Sequence, residues 1–557
     1  MSQRRDCAQL RVSAQSGDKT QWRIDGTAAT DRLFVAAVGP KLGAAQYTGA
    51  SDVLPCFHVA SCGRPSSRDP MNPVSGHGHA AQCVHAGDAD AAAQDPSRRR
   101  FLQWSALAAA VGLLRVPLAA AASSAGHVQA LPPQRYGDGG TPVAQSPLRF
   151  ASSGNVVHNG KESIGKRGVQ IRWPYVLGSG DLSELRLLLD NWCFSYSNNS
   201  MVNPGNTLPI QAASLEIGGV VKPITFGGAA GITLDDGAND VLSDLLTPAD
   251  FALATFARGT IVYVKMLVMF DLSTASSLCN SSARAASQSG ARVAWFDPTV
   301  TTSSDVCAAG QWTQTGDAVQ SRPHGYVPKL VGRHVDAAAK AWLCVGDSIC
   351  QGTGDADSAT RVAGLGWMSR AMRDPSDADA SQIGYMNMAV HGSTSTIAVV
   401  DARSATLARY ATHAVVMYGT NDIGLAGTGV SLDTLQTRLS AIYSMLRANE
   451  VQKILAGHLL PRTTSTDSWA TEANQNYCGG PGGWDSTGIA AQLNAWLAPN
   501  VGAAVDAFQH WPSIRGTDDL KFLVTGAARY ATTDGTHPTT AAYGLMAADV
   551  RTQMDAL

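Results

Sequence analysis

The sequence predicts an α/β fold for its C-terminal part, with a parallel sheet covered by helices, and an antiparallel β-sandwich in front of it. From residue 336 to 557, short apolar segments alternate with helical ones, which is typical of parallel strands joined by helices. Between residues 148 and 332, short segments of period two are separated by Gly, Pro and Asn turns, which favours antiparallel strands. A chain of 557 residues has room for both domains.

Composition and charge argue against two kinds of partner. The formal net charge is −2, so the chain has no basic field with which to hold nucleic acid or an anionic membrane surface. Charged residues make up 15% of the chain, below the usual ~25%. The polar surface must therefore consist largely of Ser, Thr, Asn, Gln and backbone groups, which suits an exported protein.

The segment 97–125 indicates export. It contains three arginines after Ser97, a short apolar stretch and then the small residues AAAASSA, in the order of a secretory signal peptide. Its first residues, SRRRFL, resemble the twin-arginine export motif. A membrane span is the weaker interpretation, because the apolar stretch is short and Arg115 follows it. We therefore expect the twin-arginine export machinery as a partner, a periplasmic or secreted mature protein, and no stable membrane span after signal removal.

Two segments flank this signal. Residues 1–96 are interpreted as an upstream extension, non-native or disordered, because a signal peptide belongs at the start of a chain. The run HGHAAQCVH within the extension matches no standard zinc spacing, so no metal site is predicted there. Residues 126–147 are rich in Gly, Pro, Gln and Ala, which is typical of a linker.

The predicted sandwich, residues 148–332, contains segments such as GVQIRWPYVL and GTIVYVKMLVMFDL. One segment in it, DLSELRLLLDNW, is instead predicted to be helical. Among the cysteines after residue 125, we expect Cys279 to pair with Cys307, because both lie in polar, Ser-rich segments. A free buried thiol is the alternative for Cys344, which lies inside an apolar strand.

The C-terminal domain, residues 336–557, has five predicted strands: 342–345, 385–389, 414–418, 454–457 and 503–507. Apolar residues between 432 and 446 recur at spacings of three and four, which predicts a helix with one apolar face. Pro538 marks the entry of a last helix, since proline is favoured in the first turn.

Ser348 follows the first of these strands, in GDSICQG. Open α/β sheets bind ligands at the carboxyl ends of their strands. A serine nucleophile needs an adjacent base, a group that orients the base, and donors for the oxyanion that develops on the attacked carbonyl. His537 and Asp534, three residues apart in the loop TTDGTHPTT, are candidates for the base and its orienting group.

Other histidines compete for the role of base. His391 is a rival, because it lies at a predicted strand end beside a glycine. His413 and His458 flank predicted strands and are interpreted as structural.

Two further strand ends offer hydrogen-bond donors. Gly392, in NMAVHGSTS, has an N–H that a substrate oxygen can approach closely because no Cβ stands in the way. Asn421, in VVMYGTNDIG, can point its side-chain NH₂ at the same oxygen. Each segment is also a common turn composition. Catalysis is indicated by the whole set of candidates in its order along the chain, nearly all of them at the carboxyl ends of successive strands: Ser348, Gly392, Asn421, then Asp534 with His537.

Four blocks together resemble the SGNH hydrolases, also called the GDSL family of esterases and lipases: GDSICQG, NMAVHG, GTND and DGTH. The resemblance implies a flavodoxin-like three-layer α/β/α domain. It implies that Ser348 attacks an ester, that His537 carries the proton and that Asp534 holds the imidazole. The oxyanion hole would consist of the backbone N–H groups of Ser348 and Gly392 with the Asn421 amide. No metal or cofactor is needed. Ile349 stands where the family shorthand has Leu.

These observations predict an exported serine esterase that hydrolyses carboxylic esters through an acyl-enzyme. Short acyl groups are favoured, and O-acetyl groups on a glycan are the suggested substrate. An acyltransferase, a thioesterase or a lipase with the same triad is an alternative, and a catalytically idle carbohydrate-binding protein is an alternative of another class.

The insertion 467–488 contains three candidates for substrate binding, Trp469, Tyr477 and Trp484, with a packed loop as the alternative. The sandwich is interpreted as a passive cap that shapes the active site, and carbohydrate binding is its second interpretation.

Overall fold

A computed structural model describes two short strands near the start and most of the chain from residue 147 to 557. The gaps in that range are 165–167, 196–197, 272–275, 282–290, 301–302, 304, 311–319, 322–324, 356–364 and 373–382. The chain divides into two units, 1–133 and 134–557. In the first, the strands Arg11–Ala14 and Trp22–Asp25 pair antiparallel. The rest of the proposed extension, the signal at 97–125 and the linker up to residue 146 lie outside the described residues and stay predictions.

A six-stranded, fully parallel sheet forms the centre of the C-terminal domain. Its strands in spatial order are Ala507–Gln509, Lys453–Gly457, His413–Met417, Trp342–Gly346, Tyr385–Asn387 and Asn155–Val156. Four of the five predicted strands lie within a few residues of these positions. The prediction at 503–507 is wrong, because that segment turns: the Gly502 N–H donates to the Val505 carbonyl at 2.8 Å and the strand begins only at Ala507.

The outermost strand of this sheet, Asn155–Val156, comes from the predicted sandwich. It pairs with Tyr385–Asn387, and the Asn155 side-chain NH₂ donates to the Tyr385 carbonyl at 3.0 Å. The Asn155 side-chain oxygen accepts from the Leu330 N–H at 2.9 Å. One asparagine therefore joins the parallel sheet to the antiparallel strands, and the segments 148–332 and 336–557 share a sheet.

Helices cover both faces of the parallel sheet. Neighbouring residues of its strand Trp342–Gly346 enter different apolar clusters: Leu343 packs with Leu435 and Leu439, whereas Trp342 packs with Tyr543 and Met546. The helices of this domain are Ser348–Gln351, Gly366–Ala371, Ser395–Val400, Ala402–Ala408, Thr420–Ile423, Leu432–Ala448, Ile489–Leu497 and Thr540–Ala556. Short 3₁₀ turns lie at Pro248–Phe251, Ala498–Asn500 and Pro512–Ile514. The two helices predicted for this domain are present. None of the helices in the described part of the chain is long and apolar enough to span a membrane.

Two antiparallel sheets precede this domain and share one apolar cluster, as in a β-sandwich. The larger has the order Val220–Ile224, Leu208–Ile217, Ile261–Met269, Gly168–Leu177, Arg292–Phe296 and Gln320–Ser321, with Ile232–Leu234 and Ser152–Ser153 paired alongside. The smaller has the order Val241–Leu242, Leu182–Leu189, Lys329–His334 and Arg149–Phe150. Two-stranded pairs are Gly160–Ser163 with Ser277–Asn280, Cys193–Ser195 with Ser200–Val202, and Thr463–Ser465 with Gln475–Tyr477. The predicted fold class is confirmed.

Two local predictions in this region are wrong. DLSELRLLLDNW is the strand Leu182–Leu189, not a helix, because it pairs along its length with Lys329–His334, a segment far along the chain. Cys279 and Cys307 are both free thiols. Cys279 is buried and its thiol hydrogen-bonds that of Cys193, whereas Cys307 is exposed.

Candidate active site

The chain turns sharply where the central strand ends, and this turn presents Ser348. Asp347 caps the following helix, Ser348–Gln351, by accepting the Ile349 N–H at 3.0 Å. A Cβ on Gly346 would lie 2.5 Å from Cys350 Sγ, so the turn requires glycine at this position. Ser348 therefore stands at the carboxyl end of the sheet, on the first turn of a helix.

A continuous hydrogen-bonded chain connects three of the predicted residues. His537 Nε2 lies 2.9 Å from Ser348 Oγ, and His537 Nδ1 lies 2.7 Å from Asp534 Oδ2. Burial opposes ionisation of Asp534, but hydrogen bonds from the His537 ring, the His537 N–H and the Thr536 N–H hold the pKa of this carboxyl well below its usual value. Asp534 is therefore a carboxylate that accepts from the imidazole.

The loop that carries Asp534 and His537 closes around a glycine. Gly535 has a φ of +73°, and a Cβ there would lie 1.7 Å from the Thr463 carbonyl oxygen. The Thr463 N–H donates to the Gly535 carbonyl at 3.0 Å. This close approach fixes the loop against the hairpin of Thr463–Ser465 and Gln475–Tyr477.

Gly392 lies beside the turn that carries Ser348, in a segment we call the glycine loop, residues 391–395. The Ser393 hydroxyl donates to the Gly346 carbonyl at 3.1 Å, and the His391 N–H donates to the Gln351 side chain at 3.0 Å. Within the described residues, neither the Ser348 N–H nor the Gly392 N–H donates to a protein acceptor. Both amides are therefore available to a substrate oxygen.

Asn421 reaches the same loop from the neighbouring strand end. Its side-chain NH₂ donates to the Ser393 carbonyl at 2.9 Å, which leaves the second N–H hydrogen of that amide for a ligand. The turn before it depends on Gly419, whose φ is +142° and where a Cβ would lie 2.8 Å from the Leu459 side chain. Ser393 thus links the loop of Gly392 to Asn421, a role that no motif in the sequence indicated.

Two acidic residues next to the motif positions also escaped prediction. Asp347 is fully buried, and burial raises its pKa to about 7, although the Ile349 N–H and the charge of His537 act against this. Asp422 is buried as well and accepts the Ser395 N–H and hydroxyl, the latter at 2.6 Å. The sequence signal that could have identified Asp347 and Asp422 is that they directly adjoin Ser348 and Asn421.

The competing histidines differ in surroundings. The His391 ring stacks on His537 with centroids 5.8 Å apart, and its Nδ1 lies 3.3 Å from the Thr353 hydroxyl. Burial, followed by the charge of His537, lowers the pKa of His391. Burial lowers the pKa of both His413 and His458 to about 4, so these two are neutral structural residues.

The three candidate aromatic residues lie in different environments. Trp484 is only 2% exposed, its indole N–H donates to the Gly424 carbonyl at 2.9 Å, and its ring is packed in the apolar cluster of the domain. Tyr477 is half-buried and its hydroxyl donates to Asp518. Trp469 is also half-buried and lies against Gly535, in the loop that carries Asp534 and His537, which we call the catalytic loop. Of the three, Trp469 contacts the loop that carries His537.

Comparison with known proteins gives one family and several similar structures. Residues 344–545 match the GDSL-like lipase/acylhydrolase family. A GDSL-like lipase from Bacteroides thetaiotaomicron is similar at 16% identity, over 39% of this chain and 89% of that one, with a TM-score of 0.26. An acetylxylan esterase from Geobacillus stearothermophilus is similar at 16% identity over 39% and 94%, with a TM-score of 0.28. A lipase/acylhydrolase from Enterococcus faecalis has 17% identity over 39% and 96%, with a TM-score of 0.27. A sequence comparison with curated proteins gives no significant match.

Proposed function

We propose that the protein is a serine esterase that hydrolyses carboxylic esters through an acyl-enzyme, in keeping with the match of residues 344–545 to the GDSL-like lipase/acylhydrolase family. The observation that carries the proposal is the continuous chain from Ser348 Oγ through the His537 ring to Asp534, with contacts of 2.9 and 2.7 Å. A carboxylate on Nδ1 keeps that nitrogen protonated, so Nε2 is left with a lone pair for the serine proton.

In the first half-reaction, His537 Nε2 takes the Ser348 proton as Oγ bonds to the ester carbonyl carbon. The carbonyl oxygen becomes an oxyanion, and the Asp534 carboxylate stabilises the imidazolium. Collapse of the tetrahedral intermediate breaks the ester C–O bond, and His537 returns the proton to the departing alcohol. Water then attacks the acyl-enzyme by the same route and releases the acid.

The oxyanion donors we propose are the N–H groups of Ser348 and Gly392 and the Asn421 amide. Support comes from the two backbone amides that have no acceptor among the described residues and from the Asn421 side chain, which has one hydrogen left over. Preorganised donors of this kind stabilise the charge that develops in the transition state and cost no reorganisation during the reaction.

For the substrate, we propose short acyl esters, with O-acetyl groups on a glycan as the first candidate. The support is the predicted export of the chain and the half-buried Trp469 beside the catalytic loop, a ring suited to lie against a sugar or a short acyl group. Acyl transfer, thioester hydrolysis and long-chain lipolysis use the same triad and remain alternatives. A series of p-nitrophenyl esters from acetate to palmitate separates short-chain ester hydrolysis from long-chain lipolysis, and a strong preference for long chains would contradict the proposal.

For the location, we propose the periplasm or the outside of the cell, reached through the twin-arginine machinery. The support is the sequence of the segment 97–125 alone.

The catalytic proposal is tested with p-nitrophenyl acetate and the variant Ser348→Ala. We expect a loss of turnover on the order of 10⁴-fold or more, because the nucleophile is removed. Ser183→Ala is the matched control, since Ser183 is an exposed serine of the antiparallel region. Equal rates for Ser348→Ala and the unmodified protein would remove Ser348 from the mechanism.

A further inference from the structure

A small hairpin of the antiparallel region packs on the catalytic domain beside the glycine loop. We call it the docking hairpin; its strands are Cys193–Ser195 and Ser200–Val202. Phe194 and Met201 on these strands are buried in the same apolar cluster as Ile397 and Ala398. These last two residues belong to the helix that follows Gly392. The docking hairpin and the first helix after the proposed oxyanion glycine therefore contribute side chains to one apolar cluster.

One polar contact connects the docking hairpin directly to the glycine loop. The Asn199 side-chain NH₂ donates to the Thr394 hydroxyl at 2.6 Å, across 195 residues of sequence. Thr394 is the N-cap residue of the helix Ser395–Val400, yet its side chain makes no capping hydrogen bond. Asn199 has a φ of +46°, a left-handed conformation that asparagine tolerates better than most residues. The Thr394 hydroxyl is thus held by the docking hairpin, two residues after Gly392.

Hydrogen bonds from within the catalytic domain fix the other sides of the same segment. Ser393 is bonded to the Gly346 carbonyl and to the Asn421 amide, and Ser395 is bonded to Asp422. Asp422 is in turn paired with Arg438 at 3.0 Å. These contacts hold the residues on either side of Thr394, and the docking hairpin supplies a further contact at Thr394 itself.

We propose that Asn199 is a positioning residue that sets the Gly392 N–H at its place in the oxyanion hole. This inference rests on the proposed function, since it assigns to the antiparallel region the task of holding a catalytic donor. Oxyanion stabilisation depends steeply on the position of the donor, and a misplacement of about 1 Å can cost on the order of 100-fold in rate. Loss of the Asn199–Thr394 bond therefore lowers kcat, while substrate affinity and folding change little.

The chain offers a matched control for this contact. Asn203, just beyond the docking hairpin, accepts a hydrogen bond from Arg403 at 3.1 Å. Arg403 belongs to the next helix, Ala402–Ala408, and that contact is exposed. Both asparagines join the antiparallel region to the catalytic domain, but only Asn199 reaches the glycine loop.

The test uses Asn199→Gly, because glycine keeps the left-handed backbone without strain and removes only the side chain. We expect kcat for p-nitrophenyl acetate to fall about tenfold, with KM and the melting temperature nearly unchanged. Thr394→Val gives the same loss, and the double variant is no worse than either single one. Asn199→Asp avoids the loss of kcat seen in Asn199→Gly, because the Thr394 hydroxyl can donate to the new carboxylate. Asn203→Ala keeps the kcat of the unmodified protein.

Three results overturn the inference. The first is a kcat for Asn199→Gly that stays within twofold of that of the unmodified protein. The second is a double variant whose loss of kcat is the product of the losses in Asn199→Gly and Thr394→Val. The third is a loss of kcat in Asn203→Ala as large as that in Asn199→Gly. Failure of the catalytic proposal is distinguishable, since it requires Ser348→Ala to remain active. An inactive Ser348→Ala together with a fully active Asn199→Gly removes the positioning role alone.

Discussion

Asp347 makes the stability of this protein depend on pH in a way that one substitution should remove. Its carboxyl group is fully buried next to Ser348, and burial raises its pKa to about 7 from an ordinary value of 3.8. Between these two pH values the folded state keeps a proton that the unfolded state loses. Stability contributed by this group is therefore present below about pH 4 and is lost as the pH rises through 7.

The size of the effect follows from the shift of about three pH units. At about 1.4 kcal/mol for each unit, the contribution is on the order of 4 kcal/mol, an upper bound because buried sites relax. Asp347→Asn removes the titration and keeps the side-chain oxygen that accepts the Ile349 N–H. The other buried oxygen of Asp347 has no partner among the described residues, so an amide there replaces one unpaired polar group with another.

The assay is urea unfolding at pH 5 and pH 8 for both proteins. We expect the free energy of unfolding of the unmodified protein, relative to that of Asp347→Asn, to fall by a few kcal/mol between these values. Because both proteins contain the other carboxylates, the comparison cancels their contributions to the free energy of unfolding. Asp534 is one of these, and its lowered pKa makes its contribution change only at more acidic pH. The same pH dependence in both proteins would refute the reasoning, because it would mean that Asp347 does not titrate in this range.

Three further predictions concern the site and the export signal. Asn421→Ala should lower kcat for p-nitrophenyl acetate on the order of 10²- to 10³-fold, through loss of an oxyanion donor; a change below threefold would exclude that role. Gly535→Ala should abolish most esterase activity, because its Cβ would meet a carbonyl oxygen at 1.7 Å and φ is +73°; full activity with an unchanged melting temperature would contradict the described loop. Arg98→Lys with Arg99→Lys keeps the charge of the signal but should retain the protein in the cytoplasm, as measured by fractionation; unaffected export would argue against the twin-arginine route.

The sequence predicted which residues lie together at the candidate site better than it predicted the surroundings that hold them. Ser348, Gly392 and Asn421 could be found because parallel strands place their carboxyl ends at one edge, so that residues just beyond each strand meet. His537 and Asp534 could be found because their spacing suits a single turn. The local sequence pattern is enough to identify these residues, and it is not necessary to know which distant segments of the chain pair with each other.

Distant pairing explains what was missed. The segment Leu182–Leu189 has apolar residues at spacings that fit a helix as well as a strand, and its partner, Lys329–His334, decides the outcome. Asn155–Val156 is too short to show any period, and it becomes a strand only because Tyr385–Asn387 lies next to it. The bond from Asn199 to Thr394 depends on how two domains dock, which no local pattern encodes.

The two-residue strand Asn155–Val156 has a consequence for how such a protein can change over time. It lies at the edge of the catalytic sheet but belongs to the preceding antiparallel region, and apolar residues of both regions fill one cluster. A fragment that begins at residue 336 would leave that edge unpaired and open that cluster to water. A recombination event that joined residues 336–557 to a different preceding domain would therefore have to replace both the edge strand and the apolar residues that cover the cluster.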